Sequence, residues 1–334
     1  GGLMPSPFAF RQHGQSGAWV SEIFPHLARQ VDRIAFVKSC WTDSNNHAPA
    51  LLRMNTGFTR VGFPCTGSWV TYGLGSENRD MPGFVVMLDT KGRGMPKGYA
   101  QNWSAGFLPG ALQGTAIDSG ATPIANLVRR AGQTDAEQRA QFDLAARLNG
   151  RQRDAVGPGA DALEARIESY ELAYRMQMAA PEGLDLASET RETLDLYGVG
   201  GKDTNTFGRA CLLARKLSEA GVRFVQVSTG GWDHHGDIKE GIRLKALEID
   251  RACMALITDL KQRGMLDDTL IVWAGEFSRT PMSQGGSGRD HHNKAMTVWL
   301  AGAGVRGGMV HGSSDELGYA AVENVTTVHD LHAT

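Results

Sequence analysis

Val222-Arg223-Phe224-Val225-Gln226-Val227, then a helical pattern over residues 239–263, then Thr269-Leu270-Ile271-Val272-Trp273: this succession decides the fold class. The two flanking runs are short, apolar, rich in β-branched residues and bounded by loop residues, the signature of strands buried on both faces. Between them Ile249, Cys253, Leu256, Ile257 and Leu260 recur at i, i+3, i+4 spacing, so this segment buries one face of a helix. Working outward, Ile34-Ala35-Phe36-Val37 reads as a third strand, with Gly83-Phe84-Val85-Val86-Met87-Leu88 and Met296-Thr297-Val298-Trp299-Leu300 as two more. Residues 18–31 are expected to form the helix before the first strand, and residues 207–220 the helix before Val222. Strand and helix in alternation predict an α/β fold, a mostly parallel central sheet with helices on both faces. Ligands of such sheets sit beyond the carboxyl ends of the strands, so chemistry is expected in the loops after Val37, Val227 and Trp273.

The 334 residues, 41% hydrophobic and 21% charged, suffice for one large domain, expected to span residues 1–334. Within it, residues 127–205 carry many charged residues and Gln and no strand-like run. Helical stretches at 135–148 and 163–178, separated by Gly157-Pro158-Gly159, predict a helical insertion or cap. With 34 Lys+Arg against 36 Asp+Glu there is no basic field to draw nucleic acid or an anionic membrane, which points to a small molecule or a sugar polymer as partner. No window reaches the roughly 18 consecutive apolar residues of a membrane span. Cys40, Cys65, Cys211 and Cys253 form no CxxC pair, so neither a zinc ribbon nor a disulfide framework is indicated. The opening Gly1-Gly2-Leu3 and the final helical start at Val328-His329-Asp330-Leu331 read as cut ends, so any signal peptide is expected upstream of residue 1.

Four of the 10 His lie in two adjacent pairs, each directly after an Asp: Asp233-His234-His235, behind Trp232, and Asp290-His291-His292. A divalent cation needs several converging imidazole or oxygen donors, and loops at neighbouring strand ends deliver them from distant sequence positions. Gly230-Gly231 permits a sharp turn ahead of Asp233, and Gly285-Gly286-Ser287-Gly288 gives a pliable approach to Asp290. Strand Thr269–Trp273 runs into Glu276-Phe277-Ser278-Arg279-Thr280-Pro281, which brings Glu276 to the same sheet edge. Arg279 is placed to grip a phosphate or sulfate oxygen. Each His pair also has an ordinary reading, as helix caps or partners of core carbonyls, but two Asp-His-His runs at strand ends favour a metal, with one His of each pair as ligand and the other behind it or facing substrate. After the first strand, Ser44-Asn45-Asn46-His47-Ala48-Pro49 leads into a helix whose start offers free N–H groups, with Asn46 or Ser44 as cap. His13, His26, His329 and His332 read as structural; His311 sits at a possible strand end.

These loops resemble the alkaline-phosphatase superfamily, and more closely a secreted, sulfatase-like group filed as domain of unknown function 1501. Sulfatases carry C-x-P-S-R-x-x-L-[LM]-T-G; with Thr56-Gly57 at its end, Pro49 falls on the Pro and His47 on the nucleophile. Leu266-Asp267-Asp268-Thr269-Leu270-Ile271-Val272-Trp273 is similar to the superfamily strand that ends in a metal-binding Asp-His, a place taken here by Glu276-Phe277. Trp232-Asp233-His234-His235 resembles its earlier Asp and His ligands, and Asp290-His291-His292 its late His ligand. The closer group shows W-D-x-H, G-E-F-x-R-T-P and G-x-D-H-H in this order.

The resemblance implies an alkaline-phosphatase-like domain and a metal-dependent hydrolase of sulfate or phosphate esters, acting on a small-molecule or polysaccharide ester. Asp233, His235, Glu276, Asp290 and His291 would surround a divalent metal, Zn or Ca. His47 and Arg279 would be catalytic, with His47 open to three roles: attack through nitrogen, metal binding, or acid for the leaving group. Ser44, Asn46, His234 and His292 would face the substrate or stand behind the ligands. A further Asp and a twin-arginine export signal would precede Gly1, implying a periplasmic or secreted protein. The alternatives are a non-catalytic exported metal-containing binding protein, favoured by the missing Ser, Thr or Cys nucleophile, and a metal-dependent mutase or transferase.

Overall fold

The computed structural model describes residues 2–89, 94–120, 132–157 and 161–334. Strands β1 (Phe10–His13) and β2 (Ala18–Ser21) form a hairpin, a 3-10 helix over Leu27–Arg33 leads into β3 (Ile34–Trp41), and helices α1 (His47–Thr56) and α2 (Thr66–Leu74) follow. The middle of the chain runs β4 (Phe84–Met87), β5 (Thr115–Ile117), α3 (Asp135–Val156), α4 (Asp161–Leu184), α5 (Arg191–Tyr197), α6 (Asn205–Glu219), β6 (Phe224–Val227) and α7 (Ile238–Gln262). It closes with β7 (Ile271–Trp273), β8 (Ser278–Arg279), β9 (His291–His292), β10 (Met296–Ala301), β11 (Val310–His311), β12 (Ser313–Ser314), β13 (Ala321–Glu323), β14 (Thr326–Thr327) and α8 (Val328–Ala333).

The fold is mixed α/β, and its sheets correct the expectation of one mostly parallel sheet. The larger sheet has the order β11-β3-β10-β7, with β14 pairing the end of β3. Here β11 and β14 run parallel to β3, while β10 is antiparallel to both β3 and β7. The cause is the connection: β7 reaches β10 through the short β8–β9 ribbon with no crossover helix, and a chain without a crossover can only return antiparallel. A separate sheet, β5-β4-β6, is wholly parallel.

Both faces of each sheet carry packed side chains, but the edge strand β7 leaves Val272 49% exposed, so the expectation of burial on both faces fails there. In β4, Val85 and Met87 join Leu212, Leu213 and Leu217 of α6, whereas Phe84 and Val86 pack with Cys65 and Trp103 on the other face, as the two-residue pleat requires. In the larger sheet, Ile34, Trp299 and Ala301 meet Ile249, Cys253, Ile257 and Leu260 of α7, while Val37, Val298 and Leu300 meet Val328 of α8 and Met54 of α1. The apolar stripe of α7 is therefore the seam between sheet and helices.

The second correction concerns residues 18–31. Trp19 and Val20 pair with Gln12 and Arg11 in the β1–β2 hairpin, turned by Gly14 and Gly17 at φ 63° and 67°, and helical structure is confined to Leu27–Arg33, beyond Pro25. Aromatic and β-branched residues beside a glycine turn favour the hairpin over a helix. In the expected helical insertion, α3, α4 and α5 are helical, and Met176 and Leu184 of α4 enter the same core as α6. Residues 127–131 and 158–160 of that stretch lie outside the described residues. The four cysteines are buried and free. Among the described residues no helix is long and apolar enough to cross a membrane.

Behind the sheets, Arg215 is 1% exposed and its guanidinium lies 2.6 Å from Glu189, 3.0 Å from Asp259 and 2.5 Å from Glu219, joining α6, α7 and the segment before α5. Tyr197 donates its hydroxyl to Asp259 at 3.1 Å. Removing the cation would leave buried carboxylates uncompensated, which costs on the order of 3–5 kcal/mol. Arg215→Met is expected to lower unfolding free energy by about that amount in a denaturant titration; a loss near zero would show that Arg263 and Lys216 suffice to neutralise the cluster.

Candidate metal centre

Four loops meet beyond the strand ends, and Asp233 lies where they cross. It sits on the turn between β6 and α7, with Gly231 at φ 80° just before it. Its Oδ1 accepts from Arg279 Nη2 at 2.5 Å and lies 2.9 Å from both His291 Nε2 and His235 Nε2. His47 Nε2 is 3.2 Å from Oδ2. Arg279 and His291 face each other because they are a cross-strand pair of the β8–β9 ribbon. Partial burial would raise the Asp233 carboxyl, but the Arg279 and His291 bonds outweigh it and hold it far below the usual carboxylate range.

Each of these imidazoles is held from behind at Nδ1. His47, the first residue of α1, meets Glu276 Oε1 at 2.6 Å; His291 meets the Asn45 carbonyl at 2.8 Å; His235 meets Gln284 Oε1 at 2.5 Å. A backbone carbonyl only accepts, so His291 carries its proton on Nδ1, and the Glu276 carboxylate and the Gln284 amide oxygen make Nδ1–H donors of the other two. The three Nε2 atoms are then lone pairs when the rings are neutral. Yet His235 Nε2 and His291 Nε2 lie 3.1 Å apart beside a carboxylate, and the buried His47 Nε2 faces the other oxygen of that carboxylate at 3.2 Å.

Acceptors facing acceptors at such range need a positive charge between them, supplied by ring protons in the metal-free protein or by a cation. The spacings of 2.9–3.1 Å among Asp233 Oδ1, His235 Nε2 and His291 Nε2 come near the ligand–ligand spacing of about 3.3 Å around a tetrahedral ion with bonds near 2.0 Å, and His47 Nε2 stands 3.2 Å from Asp233 Oδ2. His47, Asp233 and His291 bring their ligand-type atoms within 4.8 Å of one another, and His235 adjoins the last two. An oxygen partner on the far nitrogen of each ring is the usual support of a metal-binding His. The donor set fits a divalent cation.

Other residues singled out in the sequence stand further away. Glu276 is behind His47 rather than beside Asp233. Asp290 accepts the backbone N–H of His291 at 2.8 Å and lies 4.0 Å from His235 Nδ1, at the rim. His234 turns against α7, where Gly241 leaves room for its ring, and burial followed by the Arg279 charge pushes its pKa down. His292, 4% exposed, bonds the Tyr319 carbonyl and packs tilted against that ring at 4.7 Å, tying the β12–β13 hairpin to the site. The Ser44 hydroxyl accepts the Asn46 N–H at 3.1 Å, and Asn46 precedes α1 without a side-chain cap. Arg279 also reaches the carbonyls of Trp232 and Arg289, each at 3.3 Å, so its guanidinium fork is largely occupied. His329 and His332 bond the carbonyls of Gly57 and Met54 at 2.7 and 2.8 Å, fastening α8 to the end of α1.

A family model described as "Protein of unknown function (DUF1501)" matches residues 1–334. The chain belongs to the DUF1501 family. A comparison with curated proteins finds no match to it. In this DUF1501 chain, three parts of the centre went unseen in the sequence: Gln284, the Asn45 carbonyl, and Phe277 as a wall. The Phe277 ring packs 4.9 Å from His47 and 4.6 Å from His291. Only the neighbouring glycines hinted at Gln284; a backbone carbonyl has no residue signature at all.

The Glu276 hydrogen bond raises the His47 pKa against the opposing effect of burial, helped by the charges of Glu276 and Asp233. Charged His47 therefore stabilises the metal-free fold fully below the unfolded value of about 6.5, and this contribution disappears as pH rises through the higher folded value. A ring-proton NMR titration should place His47 above 6.5, and His47→Gln should remove that step from the stability profile. A midpoint at or below 6.5 would contradict the Glu276 pairing. Gly288 supplies a second check, because a Cβ there would overlap the His235 backbone carbonyl. Gly288→Ala is expected to cost about 1–3 kcal/mol by overpacking, read from a denaturant midpoint, and to shift the His235 ring resonances.

Proposed function

We propose that the chain is a metal-dependent hydrolase of sulfate or phosphate esters, with an alkaline-phosphatase-like arrangement and a zinc-type ion held by His47, His235, His291 and Asp233. The observation that supports it is the convergence of three back-anchored imidazoles on one carboxylate. Of Zn and Ca, three nitrogen donors favour Zn, since Ca²⁺ takes six to eight oxygens. With a coordination position left open beside these donors, such an ion would polarise the ester oxygen and lower the pKa of a coordinated water.

The chain's own groups set the rest of the chemistry. Glu276 keeps the proton on His47 Nδ1. Arg279 orients Asp233 and lends positive charge to an anionic group arriving at the centre. Phe277 walls one side of both rings, limiting water there. Asp233, with its side chain 48% exposed, marks the open side from which a small-molecule or polysaccharide ester would enter. The motif resemblance adds export to the periplasm or beyond to this reading.

A second reading, an exported binding protein that keeps the ion without turnover, is favoured by Ser44, whose hydroxyl is folded back onto the Asn46 backbone. Elemental analysis of the purified protein should show bound zinc, and aryl sulfate or aryl phosphate should be hydrolysed. His291→Ala should weaken metal affinity by at least the 10- to 100-fold seen when outer partners are lost. Absence of metal from protein supplied with Zn²⁺ sinks the proposal; metal without hydrolysis of either ester class leaves the binding protein.

A further inference from the structure

We infer that Gln284 is a positioning residue: its side-chain carbonyl holds His235 by Nδ1 and keeps Nε2 free of hydrogen and aimed at Asp233. The inference deepens the metal reading and rests on it. Three observations carry it.

His235 is the least confined of the three imidazoles. Its side chain is 41% exposed, against 21% for His47 and 18% for His291. His47 and His291 both lean on Phe277, whereas His235 meets the ring of His291 at 4.7 Å. Packing leaves its ring angle and proton loosely set, so the 2.5 Å contact to Gln284 Oε1 does the holding.

Gln284 is itself fixed. Its N–H donates to the Gly288 carbonyl at 2.8 Å and its carbonyl accepts from Gly288 at 3.0 Å, closing a turn through Gly285 and Gly286 at φ 59° and 81°. Ser287 ties that turn to the start of α7, accepting the Ile238 N–H on its carbonyl at 2.9 Å and the Asp237 N–H on its hydroxyl at 3.1 Å.

The chain's first residues strap the loop from the other side. Met4 donates to the Pro281 carbonyl and Ser283 to the Gly2 carbonyl, each at 3.0 Å, with Leu3 bridging Met282. Arg289 clamps both strands of this contact, reaching the Met4 carbonyl at 2.6 Å and the Thr280 carbonyl at 2.7 Å. A side chain with three rotatable bonds is thus presented from an over-determined backbone, the support a metal-binding imidazole needs.

The test uses the whole chain, wild type beside Gln284→Leu, Gln284→Asn and Gln284→Glu. Two quantities are read: the His235 tautomer from nitrogen-15 NMR of metal-free protein, and Zn²⁺ affinity by chelator competition. Wild type should show His235 protonated on Nδ1. Leu, which cannot accept, and Asn, which is too short to reach, should both place proton on Nε2 and weaken Zn²⁺ binding about 10- to 100-fold; Glu, which keeps the acceptor, should restore both. If Leu and Asn leave the tautomer as in wild type, the positioning role is overturned. If wild type binds no Zn²⁺, the metal reading falls while the tautomer comparison still decides the role of Gln284.

Discussion

The whole centre depends on one carboxylate. Asp233 receives Arg279 and two imidazoles on Oδ1 and a third on Oδ2. Arg279 supplies one positive charge, which keeps Asp233 ionised, but it approaches a single oxygen and leaves the imidazole side of the group open. Four polar groups gathered at this range repel unless charge is balanced between them, and partial removal from water strengthens the repulsion. The loops would spread apart if nothing behind them resisted.

Resistance comes from the sheets and their seams. α1 is pressed against β3 through Met54 and fastened at its far end by His329 and His332, so His47 at its first turn cannot withdraw. The β6–α7 turn is set by the buried stripe of α7, and the β8–β9 ribbon hangs between β7 and β10, whose Trp273 and Trp299 rings stack at 6.1 Å. Each donor therefore stands on an element whose own core placement is settled elsewhere. Preorganisation of this kind is how proteins hold like-natured ligands together before an ion arrives.

The strands that matter were legible because burial writes itself into composition: β3, β4, β6, β7 and β10 all read as apolar runs. Their direction was not legible. Whether Met296–Ala301 runs parallel or antiparallel depends on the path from Trp273, and the Ser278–Arg279 and His291–His292 strands of that path are too short to show a period. Trp19-Val20 misled because a helical spacing of apolar residues overlaps a hairpin pattern when glycines, not the apolar residues, choose the turn. In the site, Asp233, the histidines and Glu276 were visible as residue types, while the ranking of nearness was not. Glu276 behind His47, and Asp290 at the rim, follow from side-chain direction, which sequence spacing leaves open.

The doubled histidines have a simple geometric cause. His291 and His292 are successive residues of a β-strand, and successive side chains of a strand point to opposite faces. One must face Asp233 if the other faces away, and the second is then free to pin the chain from the reverse side, as His292 does through Tyr319. His234 and His235 divide in the same way across the turn into α7, one ring against Gly241 and the other toward Asp233. Within Asp-His-His the second and third residues thus serve one position from its two sides: a ring offered to the centre, and a ring that keeps the backbone beneath it in place. Which of the two turns inward is set by the local backbone, so the inward ring is the last of the first run and the middle of the second.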